Sequence, residues 1–368
     1  MKIDSLMYIR ILAVVAVLGA CRPHEEPPIH RFEASPYEID IPPNFPAKLN
    51  IPADNPMTVE GVELGRMLFY DGRLAGRIDE GKYMSCATCH PQEHSFIIGK
   101  PRPAPLGLDS LPTHHAMLPL INLVWNPGYF GWNGAAKSIE EVIENTITDP
   151  KEMNSTWTQV VNTISSIEAY HAYFQKAFGS PEVTQDRIVK AIAQFVRTLI
   201  SSNSKFDRYM RGEVQLTNEE LEGYVLFVTE EGADCFHCHG AAGNPLFTTH
   251  QFYNNALDSV FTDPKDRFAV SGDPMDHGAY KAPTLRNIEL TAPYMRDGRF
   301  NTLDEVIDFY ASGLQYTQYA NPLMHHLNDG GNMLSESEQN SLKAFLLTLT
   351  DTSFIHNPAF AIPDSLPE

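Results

Sequence analysis

Two short runs carry most of the chemistry in this chain. Cys86-Ala87-Thr88-Cys89-His90 and Cys235-Phe236-His237-Cys238-His239 each set two thiols three residues apart, with a histidine directly after the second. Thiols at that spacing can add to the two vinyl groups of a haem, and the adjacent imidazole then reaches the iron. A disulfide or a zinc pair could use the same thiols, but zinc sites of this sort need further Cys or His ligands at set spacings. Finding the motif twice in one chain favours haem. The reading is two haem c groups, bound covalently through Cys86, Cys89, Cys235 and Cys238, with His90 and His239 as proximal iron ligands.

What such irons do depends on their opposite faces. An iron with two protein ligands transfers electrons; one with an open face can bind peroxide or oxygen. An internal repeat allows the two faces to be compared. Pro119-Leu-Ile-Asn122 leads to Tyr129-Phe-Gly-Trp-Asn-Gly134 and then Ser138-Ile-Glu-Glu-Val-Ile143. Pro283-Thr-Leu-Arg-Asn287 leads to Pro293-Tyr-Met-Arg-Asp-Gly298 and then Thr302-Leu-Asp-Glu-Val-Ile307. A thiol motif precedes each block. Aligned on these blocks, Ile139, Val142, Ile143 and Thr146 correspond to Leu303, Val306, Ile307 and Tyr310, with the spacing of one helical face. Tyr310 therefore points inward where its counterpart is a threonine. Periodicity alone is equally served by a buried tyrosine with a satisfied hydroxyl.

The elements that must hold these residues are helical. Ser138/Glu141, Thr217/Glu220, Thr302/Glu305 and Ser335/Glu338 each read as a capping box opening a helix. Val62 to Phe69 is an apolar-rich stretch, and Ile188, Ile192, Phe195, Val196 and Leu199 mark a long amphipathic helix. Strand signals are weak throughout, so the fold class is all-α. The repeat implies two tandem haem domains, residues 58–200 and 201–350, followed by a tail at 351–368. Residues 21–57 are proline-rich and read as an extended tether. Residues 1–20 have Lys2 and Arg10 before a short apolar run, which suits an export signal. Leu18-Gly-Ala-Cys21 resembles a lipobox, so Cys21, the one cysteine outside the motifs, is expected to carry lipid. The expected location is the periplasm, with membrane contact only through that lipid. The formal net charge of −19 argues against a nucleic-acid partner and favours a locally positive one.

These residues resemble the bacterial di-haem cytochrome c peroxidase and MauG family over about Val62 to Leu349. The resemblance rests on both thiol motifs, on Phe130-Gly-Trp132, on Asp149-Pro-Lys-Glu152-Met153, on Pro283-Thr-Leu-Arg-Asn287 and on Leu290-Thr-Ala-Pro-Tyr-Met-Arg-Asp-Gly298. It implies two cytochrome c-like domains, a peroxidatic N-terminal haem, and a C-terminal haem that takes electrons from a small donor protein (a cytochrome c or a copper protein). It implies reduction of hydrogen peroxide, with modification of protein residues in MauG-like members as the second reading and electron carriage as the third. Glu152 matches the family's proton-handling pocket glutamate and Trp132 its electron relay. The family's pocket glutamine falls at Val142. No residue between His90 and His114 matches the releasable histidine of many members, so the N-terminal haem is expected to be open without reductive activation. Tyr310 matches the sixth ligand of MauG-like members, where typical peroxidases have methionine; Met275, Met295 and Met324 are the alternatives. The family's calcium site maps to the carbonyls of Thr291 and Pro293, with its usual asparagine falling near His115. A homodimer is allowed for.

Overall fold

The computed structural model describes residue 32, residues 34–98 and residues 104–368. The expected export signal and Cys21 lie outside the described residues. The helices are α1 (Val59–Tyr70), α2 (Cys86–Cys89), α3 (Ile139–Thr148), α4 (Trp157–Ser165), α5 (Glu168–Phe178), α6 (Gln185–Arg197), α7 (Lys205–Met210), α8 (Asn218–Phe227), α9 (Phe236–His239), α10 (Phe268–Ser271), α11 (Leu303–Ser312), α12 (Glu336–Leu347) and α13 (Thr352–Ile355). The one sheet among the described residues is a two-residue antiparallel pair, β1 (Phe252–Tyr253) with β2 (Tyr280–Lys281). The chain is thus mostly helical.

Two pairs of crossed helices organise it. In the first, α1 packs on α6; in the second, α8 packs on α12. Each crossing is made by a glycine. A Cβ on Gly65 would collide with the carbonyl of Ala191, and a Cβ on Gly223 with that of Ser341. Four residues further along each partner lies a phenylalanine, Phe195 or Phe345, fully buried against Phe69 or Phe227. The turns repeat as well. Asn122 and Asn287 both adopt the left-handed conformation, at φ 57° and 56°, which asparagine tolerates better than most residues. Their amides receive hydrogen bonds from the backbone of Ser201 and Asp351.

Of the four expected capping boxes, three form. Thr217, Thr302 and Ser335 form reciprocal capping boxes with Glu220, Glu305 and Glu338. Ser138 caps the Glu141 amide, but the Glu141 carboxylate accepts from the Lys137 amide, one residue earlier than a box requires.

Both terminal segments are docked. Residues 34–57, read from composition as a tether, pair with the start of α1 through Tyr37 N to Met57 O and Val59 N to Ser35 O. Phe45 then packs on Trp125, with Ile39, Ile41, Leu49 and Ile51 around it. Apolar residues between the prolines give an extended segment enough surface to bind. The tail returns to the first core: Phe354 and Phe360 are buried against Phe96. Arg66 and Tyr70 of α1 donate to the carbonyls of Ala361 and Phe360.

The second core rests on a buried ion pair that sequence reading did not single out. Arg286, fully buried, makes two bonds to Asp207, at 2.6 and 2.9 Å, and its guanidinium lies 5.1 Å from the centre of the Phe45 ring. Burial alone would raise the Asp207 carboxyl, but Arg286 overrides it and holds the group below its ordinary range. A carboxylate with a depressed folded pKa contributes stability above its unfolded pKa and loses it as pH falls through the folded value. Asp207→Asn is expected to cost about 3–5 kcal/mol by leaving a buried charge unpaired, with a smaller penalty in acid, measured by denaturant midpoints across pH. Gly65→Ala and Gly223→Ala are each expected to cost about 1–3 kcal/mol by overpacking a helix crossing.

Candidate functional site

His90 directly follows α2, and its Nδ1 lies 2.6 Å from the carbonyl oxygen of Phe96. His239 ends α9, and its Nδ1 lies 3.0 Å from the carbonyl oxygen of Pro283. A carbonyl only accepts, so each Nδ1 carries the proton and each Nε2 keeps its lone pair. Iron-ligating imidazoles are held in this way. Burial pushes both rings down to about 4, which keeps them neutral near pH 7. The four motif thiols form no disulfide. Burial pushes Cys86 and Cys238 up to about 12 and Cys89 to about 11, and it raises Cys235 as well.

The first motif opens on a cavity of about 630 Å³. Cys86, Cys89 and His90 line it together with Val142 and Thr146 of α3, Glu152 and Trp132. Its lining is largely apolar, as a flat macrocycle requires. Glu152 is set by a turn in which its amide donates to Asp149 O at 3.0 Å, while its carbonyl accepts from Leu108 N at 2.7 Å. Burial raises its carboxyl above the ordinary range; a hydrogen bond from Thr146 holds it back, and Asp149 adds to the rise. Trp132 donates from Nε1 to Ala116 O at 2.7 Å, and its carbonyl accepts from Lys281 N at 2.8 Å. Its ring is therefore anchored in the first half of the chain and its backbone is joined to the second.

Two polar groups in this cavity are left without a matching partner. Lys281 is buried, and its ammonium donates to the carbonyl of Tyr129. No carboxylate forms a salt bridge with it among the described residues, and burial pushes it down to about 7. His250 Nε2 is buried without a hydrogen-bond partner. A buried cation without a counter-charge is costly, and the carboxylates of a haem would answer both groups. With the two thiols and the free imidazole nitrogen, the residues present fit a haem. Lys281 escaped the sequence reading, although a lone lysine inside Gly278-Ala-Tyr-Lys-Ala-Pro283 was a visible anomaly.

The second motif has different company. Tyr310 packs beside Met295 and Met324. Its hydroxyl oxygen accepts from Asn255 Nδ2 at 3.0 Å, and the same amide lies 3.8 Å from Met295 Sδ. Burial raises the phenol, and the thiols of Cys238 and Cys235 are near enough to raise it further. Met275 is 54% exposed. Asn255 was missed because nothing in its neighbourhood marks it. Of the residues mapped to calcium, Thr291 is buried with its hydroxyl on Ile288 O at 3.2 Å, and Pro293 is buried in the loop before α11. His115, at the position of the expected asparagine, bonds Asp263 at 2.6 Å, which also accepts from Tyr280.

A helical fold built around two half-buried Cys-x-x-Cys-His motifs is that of a di-haem c-type protein. The family model described as di-haem cytochrome c peroxidase matches residues 59–215. The chain is 32% identical to the methylamine utilization protein MauG of Methylophilus methylotrophus, over 83% of this chain and 86% of that one. It is 36% identical to the cytochrome c551 peroxidase of Nitrosomonas europaea, over 70% of this chain and 75% of that one. Among solved structures it is similar to a MauG-like protein associated with microbial copper homeostasis, with a TM-score of 0.80 and 34% identity, covering 89% of this chain and 99% of that one. The chain belongs to the di-haem cytochrome c peroxidase and MauG family.

Proposed function

We propose that this protein is a peroxidase that reduces hydrogen peroxide to water with electrons from a small redox protein, a cytochrome c or a copper protein. The observation that carries this reading is the asymmetry of the two motifs. The first faces a large cavity bearing Glu152, Val142 and Thr146, whereas the matching helix of the second brings up Tyr310. On this reading two tandem cytochrome c-like domains, 58–200 and 201–350, each carry one covalent haem, with His90 and His239 as proximal ligands. When bound, the haems supply a peroxide-binding iron in the first domain and an electron-accepting iron in the second. Glu152 takes a proton from the incoming peroxide and returns it to the departing oxygen; its raised pKa suits both transfers. Thr146 keeps its carboxylate form accessible, in place of the amide that Val142 lacks. Trp132, fixed at both ends, is the electron relay between domains. Tyr310 would hold the second iron through its oxygen, which Asn255 steadies; Met295 and Met324 lie within the same cluster. The protein acts outside the cytoplasm, held by lipid on Cys21.

Oxidation of a protein residue is the second reading, and Tyr310 favours it. Relatives named MauG match most of this chain, beside those named peroxidase.

The resting ferric protein is expected to show one high-spin and one low-spin haem by electron paramagnetic resonance; two low-spin signals would sink the open-site assignment. Turnover of peroxide with a reduced cytochrome is expected to exceed turnover without it, and failure to oxidise any small donor would favour the second reading. Glu152→Gln should lower peroxide turnover about 10²- to 10⁴-fold. Because the carboxylate form is the base, the rate should fall as pH drops through a pKa above the ordinary carboxylate range. Thr146→Val removes a bond that favours the carboxylate, so it should move that limb to higher pH. Tyr310→Phe should alter the low-spin signal, and an unchanged spectrum would point to a methionine.

A further inference from the structure

A second group of ligating side chains lies at the surface beside the second motif. Glu230 and Asp234 follow α8, His237 lies between Cys235 and Cys238, and His325 comes from the loop after α11. Asp234 is the centre of the group, its side chain only 7% exposed. Its Oδ1 lies 2.6 Å from Nδ1 of His237, and its Oδ2 lies 3.3 Å from Nδ1 of His325. A carboxylate only accepts, so Asp234 directs the His237 imidazole to carry its proton on Nδ1 and leave Nε2 free, while its second oxygen sits close to the His325 ring. The two rings stand at 84° with centres 5.1 Å apart. His237 Nε2 is 3.5 Å from Glu230 Oε1. One ligand atom each from Glu230, His237 and His325 lies within 4.8 Å of the other two.

These spacings are meaningful. Ligand atoms about 2.1 Å from one ion lie about 3–4 Å from each other. The three groups therefore need only small side-chain rotations to share an ion. The loops that carry them are already tied, since His326 Nε2 lies 3.0 Å from the Glu230 carbonyl oxygen. Haem attachment leaves the residue at position 237 free to vary, because the motif uses only the cysteines and the final histidine. Here that position holds an imidazole oriented by a nearly buried carboxylate.

We propose that Glu230, His237 and His325 bind one divalent transition-metal ion of the Cu²⁺ or Zn²⁺ class, with Asp234 orienting the His237 imidazole. Two neutral imidazoles and a carboxylate suit these ions, and for a given set of N and O donors Cu²⁺ binds more tightly than Zn²⁺. Three protein ligands leave coordination positions for water. The site is separate from the haem cavity and does not depend on which reaction the haems support.

The test uses the full-length haem-loaded protein, stripped with a chelator and then titrated with Cu²⁺ alone or Zn²⁺ alone. After desalting, metals are counted against haem iron. One retained equivalent is expected, held more tightly for Cu²⁺, with nitrogen splitting in the copper resonance spectrum. Glu230→Gln and His325→Ala should each abolish retention, and Asp234→Asn should weaken affinity about 10- to 100-fold. Glu230 is exposed, so its variant folds without penalty, and an unchanged haem absorption spectrum confirms this for all three. A wild-type protein that retains neither ion, or retention that survives both Glu230→Gln and His325→Ala, would overturn the proposal.

Discussion

A buried imidazole has one lone pair to offer, and here the backbone decides where it points. The carbonyls of Phe96 and Pro283 each accept a hydrogen bond from the Nδ1–H of a motif histidine, so both Nε2 atoms keep a free lone pair. Much of the surrounding structure serves to hold those two carbonyls. Phe96 has φ of 59°, a conformation that costs a bulky residue energy. It is kept there by burial against Phe69, Phe354 and Phe360 and by its amide bond to Pro91 O. Near Pro283, the Ala282 amide donates to Gln251 O and the Ala282 carbonyl accepts from Thr248.

The chain uses several backbone devices twice, and among the repeated helical positions one differs in a way that bears on the site. Glycine crossings, paired phenylalanines and left-handed asparagines recur in both halves, so the backbone around each motif is constrained alike. Within that common frame, Thr146 and Tyr310 occupy matching helical positions with opposite consequences. Threonine is short and leaves room beside Glu152, whereas tyrosine reaches across to Asn255 and the second motif's thiols. On the proposed function, the difference between the two sites comes down to side-chain length at this one position.

Features written locally were legible in the sequence. The thiol motifs, three reciprocal capping boxes and the helices around Val62–Phe69 and Ile188–Leu199 depend on residues a few positions apart. Glu152 and Trp132 were found by resemblance, and the structure does bring them to one cavity. What was not legible joins distant segments. Composition marked 21–57 as a tether because prolines favour extended chain, but extension does not prevent docking, and residues 34–57 are docked. Asp207 and Arg286 are 79 residues apart and look like ordinary surface charges until the fold buries them together. Asp351, which accepts from Ser201, Ser202 and Asn203, likewise has no periodicity to betray it.

The docked tail bears on the order in which the molecule is assembled. Gln92 donates to the carbonyl of Phe354, 262 residues later. Phe354 and Phe360 complete the packing of Phe96, whose carbonyl orients His90. During synthesis the first motif therefore emerges long before the residues that seal its surroundings. The early half of the molecule is the half whose core closes last. Until the tail arrives, the strip from Pro91 to Phe96, directly after Cys86 and Cys89, lacks part of its support.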